Sequence, residues 1–157
     1  MDGIARDLGL LLLRLSGFYL ACAHGWGKVV SLATGQGSRF VGGVGEIGFP
    51  APEAFAWAAA AAECVGGVLV GLGALTRVAA AFGVVTMLVA VFLRHHAHTQ
   101  WLAGIGASRA SADQLQSWGS PEMAVLYLLL LAGVMLLGPG RFSLDQLFWD
   151  RSGRRRK

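Results

Sequence analysis

Four long apolar stretches take up most of the chain and leave few other ways for it to fold. They run from about Leu8 to Leu32, Ala54 to Ala74, Val78 to Leu93 and Met123 to Leu137. A helix crossing a bilayer core of ~30 Å needs about 20 apolar residues, with a usual range of roughly 17–25. The first two stretches meet that length and the last two fall slightly short. The third lengthens through Arg94 into the following histidines if those side chains snorkel or face a neighbour. With their flanks, spans are expected at about 8–32, 54–74, 78–96 and 122–138. Composition argues against a soluble fold: only 14% of the 157 residues are charged, against about a quarter in a soluble domain. Twenty-three glycines would weaken soluble helices, but between membrane helices they let backbones approach closely. The expectation is an all-α, single-domain integral membrane protein, an up-down four-helix bundle with short interfacial helices.

The connections agree with this. Only Leu75-Thr76-Arg77 separates the second and third stretches, which predicts a tight antiparallel hairpin. The first connection is rich in glycine and closes on Phe49-Pro50-Ala51-Pro52, where the prolines disfavour helix and announce a new start. The third, about His95 to Pro121, is polar and long enough for a short interfacial helix. Ser120-Pro121-Glu122 reads as a cap, a first-turn proline and a first-turn acid. Ser143 is placed to cap a surface helix over 144–150.

Topology follows from Lys and Arg. With the N-terminus inside, the inner side holds 8 of them and the outer side 4, with Arg14 inside the first span. Both termini are therefore expected in the cytoplasm, with the chain in the plasma (inner) membrane and a basic cytoplasmic tail over 141–157. Ala21-Cys22-Ala23 resembles a signal-peptide cleavage site. However, Asp2, Asp7 and Arg14 interrupt the pattern, so the segment is expected to remain a span. A tail rich in arginine but with no basic domain face behind it points to anionic lipid, not nucleic acid. Cys22 and Cys64 form no CxxC pair and are expected to be buried, inert thiols. The five tryptophans, Trp26, Trp57, Trp101, Trp118 and Trp149, fall near span boundaries, as an aromatic belt would.

Ionisable groups inside spans face the bundle interior and find partners. Arg14, His24 and Lys28 share one face of the first span at 100° per residue, and Glu63 is the acid deep in the second. Depth estimates place Glu63 within reach of Arg14 below and His24 above. Two readings stay open. Arg14–Glu63 is a register-fixing ion pair, or these residues frame a polar pocket for a head group or for protons. In Arg94-His95-His96-Ala97-His98, His95 and His98 share a helix face at i, i+3. They offer a metal or haem pair, a quinone head-group contact or an ordinary amphipathic boundary; no metal is assigned.

The pieces Leu11-Leu12-Leu13-Arg14-Leu15, His24-Gly25-Trp26-Gly27-Lys28, Gly48-Phe49-Pro50, Glu63-Cys64-Val65-Gly66-Gly67, Gly71 to Arg77 and Gly138 to Asp145 together resemble the DoxX family. The resemblance implies a four-helix membrane bundle and a link to redox chemistry. Some relatives serve as subunits of quinone-linked or thiol- and sulfur-oxidising membrane complexes. Others are assembly factors or carriers with no catalysis, so the family predicts fold better than reaction. The expected site is a pocket of Arg14, His24, Lys28, Glu63 and Arg77, with Arg77 anchoring the hairpin and a quinone as the candidate ligand. Other redox-complex subunits or a second copy are the expected partners. The alternative is a scaffold, carrier or assembly factor. No Rossmann or Walker motif is present.

Overall fold

A computed structural model describes residues 3–148. Trp149, the end of the 144–150 helix and the arginine-rich run from Arg151 lie outside the described residues. All regular structure among the described residues is helical: α1 (Gly3–Ala33), α2 (Ser38–Glu46), α3 (Pro52–Leu72), α4 (Thr76–Arg94), α5 (Ala97–Gly104), α6 (Ala112–Trp118) and α7 (Glu122–Leu137). One more helical turn covers 144–148.

α1, α3 and α4 are each long and apolar enough to cross a membrane, at 31, 21 and 19 residues. α7 has 16 residues, about 24 Å of helix. It counts as a fourth span when joined to α6 across a 46° bend. The first span starts at Gly3, earlier than Leu8, and the second ends at Leu72. The glycine-rich first connection contains helix α2. The third contains two short helices instead of one, and α6 opens on a full capping box between Ser111 and Gln114.

Side chains are distributed inside out relative to a soluble protein. Leu12, Tyr19, Phe82, Val85, Leu129 and Leu136 are exposed, whereas Asp7, Arg14, Glu63 and Thr76 are buried. An apolar exterior around buried charges is what a lipid solvent selects. The apolar interior is built on Leu20, Val70, Ala80, Met87, Val91, Tyr127, Leu131 and Val134.

α1 packs on α3, α3 on α4, α4 on α7 and α7 on α1. The closest approach is made by small residues. A Cβ on Gly17 would come within 2.6 Å of the Gly67 carbonyl, and one on Gly25 within 2.5 Å of the Cys64 nitrogen. Rising numbers on α1 meet falling numbers on α3, so these two helices are antiparallel and touch backbone to backbone. The hairpin turn is a Schellman motif: Gly73 is left-handed at φ 72°, and Ala74 N–H donates to the Leu69 carbonyl at 2.9 Å.

Two single turns of π-helix interrupt the spans, Ala21–Gly25 in α1 and Ala90–Arg94 in α4. Each inserts an extra residue and rotates the helix beyond it by roughly the 100° of one residue.

Candidate functional site

The first π turn carries His24 and ends on Gly25, whose missing side chain lets α1 settle against Glu63 and Cys64 of α3. One turn further along, Lys28 reaches back to Glu63. Its ammonium donates to both carboxylate oxygens, at 2.5 and 2.7 Å. Glu63 is 3% exposed and Lys28 31%, so the acid is sealed while the base keeps contact with the outside. Phe40 of α2 covers the ammonium at 5.1 Å from its ring centre, a cation–π contact. From α7, Tyr127 meets the His24 ring edge to face at 5.5 Å. The tyrosine is buried, and its hydroxyl has no hydrogen-bond partner among the described residues. His24, Lys28, Glu63 and Tyr127 thus form one polar cluster inside the spans.

Arg14 and Arg77 are not part of it. Arg14 lies toward the opposite end and is 1% exposed. One of its terminal nitrogens donates to the Phe142 carbonyl, while Nε and the other terminal nitrogen find no partner among the described residues. The expected Arg14–Glu63 ion pair is therefore not formed, because Lys28 occupies both carboxylate oxygens. Arg77 donates to the Leu136 carbonyl at 3.4 Å, away from the polar cluster.

The Arg14 end is closed by the chain itself. After α7, the segment from Gly138 to Asp145 folds back over the α3–α4 turn. The Asp145 carboxylate accepts from Leu75 N–H at 2.7 Å, Thr76 N–H at 2.9 Å and the Thr76 hydroxyl at 2.6 Å. Its own N–H donates to the Gly73 carbonyl at 2.8 Å. A carboxylate from a distant residue thus caps the N-terminus of α4. Burial alone would raise its pKa, but the bonds from Thr76 and Leu75 and the charge of Arg14 bring it below the usual value of 3.8. Ser143 caps the helical turn that follows, through Gln146 N–H at 3.2 Å, as its position predicts. Asp7, buried at the start of α1, accepts from Arg141 N–H at 3.4 Å.

The three histidines after α4 do not converge. His95 Nδ1 donates to the Trp118 carbonyl at 2.7 Å, which fixes its tautomer and ties the α4 end to α6. His96, left-handed at φ 48°, lies against the Trp118 ring at 4.5 Å, and its ring centre is 6.4 Å from that of His98. Among the described residues no three His, Cys, Asp or Glu side chains form a metal-binding group. Both cysteines are free; Cys22 is exposed on the outer face of α1 and Cys64 half-buried, so the expectation of buried thiols fails for Cys22.

Asp7, Tyr127 and the structural role of Asp145 were not read as site features from sequence. A hydroxyl in the middle of Leu126-Tyr127-Leu128 was the signal for Tyr127. Nothing local marks an acid that will cap a helix seventy residues away.

No curated protein and no solved structure matches the chain significantly. The DoxX family model matches residues 9–96, through α1, α2, α3 and α4 and the polar residues His24, Lys28 and Glu63, while Gly138 to Asp145 lies beyond the match. With just over half of the chain matched and its helices apolar enough to cross a bilayer, this is a membrane protein that belongs to the DoxX family.

Proposed function

We propose that the chain is an up-down four-helix bundle of the plasma membrane with both termini in the cytoplasm. Its His24–Lys28–Glu63–Tyr127 cluster serves a quinone-linked or sulfur-compound redox complex. The observation that carries this reading is the Tyr127 hydroxyl, a buried donor with no hydrogen-bond partner among the described residues, beside the His24 ring. A native structure rarely leaves such a group unpaired without a purpose. A quinone carbonyl would accept from Tyr127, and the His24 ring beside it would pass a proton to that position. Lys28, half open to the outside and paired to the sealed Glu63, links that position to the aqueous boundary. Reduction of a quinone to its quinol takes two electrons and two protons; the electrons would come from a reduced sulfur compound or a partner subunit.

The test is to purify the protein in mild detergent, record its spectrum and identify bound molecules by mass spectrometry. A stoichiometric quinone supports the reading, and Glu63→Gln should weaken its binding while the bundle stays folded. Full quinone binding by that variant would remove Glu63 from the site. A Soret band would instead promote the histidines after α4 to haem ligands.

One observation favours a second reading, in which the bundle is a non-catalytic scaffold, carrier or assembly factor. The Lys28–Glu63 pair is closed and sits on the backbone contact between Gly25 and Cys64, where it would fix helix register. A colourless protein carrying phospholipid alone would favour that reading.

A further inference from the structure

At the end closed by the returning chain, Arg6 and Arg141 stand on either side of one buried carboxylate. The Arg6 guanidinium lies 3.8 Å from one Asp7 oxygen and that of Arg141 lies 4.0 Å from the other. Charge-assisted hydrogen bonds are about 2.7–2.9 Å long, so both contacts are loose. Neither guanidinium donates a hydrogen bond to any described residue, and their side chains are 70% and 74% exposed. Between them opens a cleft of about 320 Å³ whose apolar wall includes Leu10, Leu137 and Pro139. Leu137 is itself exposed at the end of α7, so the cleft is continuous with the apolar outer surface. Among the described residues the acids of this end are spent: Asp7 is buried, and Asp145 is engaged with Leu75 and Thr76. The exposed charge that remains on the described residues lining the cleft is positive.

We propose that this cleft is a binding site for the phosphate head group of an anionic phospholipid. Each guanidinium presents a planar fork of donors matched to phosphate oxygens. The head group would bridge Arg6 and Arg141 while its acyl chains descend along Leu137 and the α7 surface. A free phosphate could meet the two arginines but would leave the apolar wall unused, so the lipid is the occupant the cleft fits. Asp7, between the two arginines, opposes the ligand's charge and sets an upper limit on affinity.

The full chain in mild detergent, titrated with phosphatidylglycerol or phosphatidylcholine and read by native mass spectrometry, tests this. Phosphatidylglycerol should bind more tightly than phosphatidylcholine. Arg6→Gln or Arg141→Gln should each weaken it about fivefold and the double variant about thirtyfold, the scale of arginines at an anionic surface. Asp7→Asn, which keeps an acceptor for Arg141 N–H, should tighten binding and so separates a ligand effect from a folding one. Equal affinity for the two lipids, unchanged binding in the double variant, or weaker binding in Asp7→Asn would each overturn the proposal. Displacement by millimolar inorganic phosphate would overturn the assignment to lipid.

Discussion

Arg14 and Lys28 are two cations on the same helix that reach opposite outcomes. Lys28, 31% exposed, holds both oxygens of a sealed carboxylate. Arg14, 1% exposed, holds a backbone carbonyl with one nitrogen and has two buried nitrogens with no hydrogen-bond partner among the described residues. A buried ion pair is costly to break from one side, because the remaining charge is stranded. A buried cation that is already poorly satisfied has less to lose. Their difference shows that a charge within a span is not evidence of its own importance; what matters is what its removal would strand.

The largest expected effect is therefore at Lys28. Lys28→Met should cost about 3 kcal/mol of stability, measured by denaturant unfolding in mixed micelles. Adding Glu63→Leu should recover most of it. If the single variant were as stable as the parent, the pair would carry no architectural role. Next comes the cap. Asp145→Ala removes three accepted hydrogen bonds and should cost about 2 kcal/mol, with earlier loss of the α3–α4 turn in hydrogen exchange. The carboxyl pKa is lowered on folding, so its contribution is fully present above the ordinary value of 3.8 and disappears as pH falls through the folded value. Thermal melting should show an acid-dependent loss below about pH 4 that Asp145→Asn lacks. Arg14→Met should change stability by less than about 1 kcal/mol, and a loss as large as that of Lys28→Met would erase the contrast. The smallest effect is Tyr127→Phe, which deletes a hydroxyl with no hydrogen bond among the described residues and should stay within about 0.5 kcal/mol. That same variant should nonetheless bind a quinone more weakly if the proposed pocket is correct.

The helices were legible in the sequence because lipid imposes a length and an apolar surface that composition cannot hide. The hairpin at Leu75-Thr76-Arg77 followed from its shortness alone, and Glu63 was visible as a lone acid in its span. Its partner was not. Angles along α1 were reckoned at a constant 100° per residue, and the π turn at Ala21–Gly25 breaks that count between Arg14 and Lys28. Depth along two helices narrows the choice of partners, but here the chain after α7 returned to claim Arg14. That contact spans 128 residues, and no local pattern encodes it. The histidine cluster shows the reverse problem: its spacing suggested a ligand pair, yet the φ 48° backbone at His96 ends the helix before His98 can share its face.

The carbonyl that Arg14 needs belongs to Phe142, and the acid that caps α4 belongs to residue 145. During synthesis, the first and third spans are made long before either partner exists. Until residues 142–145 emerge, α4 lacks its cap and the Arg14 guanidinium lacks its carbonyl acceptor. A chain ending after α7 would lack both the Phe142 carbonyl that accepts from Arg14 and the Asp145 carboxylate that caps α4.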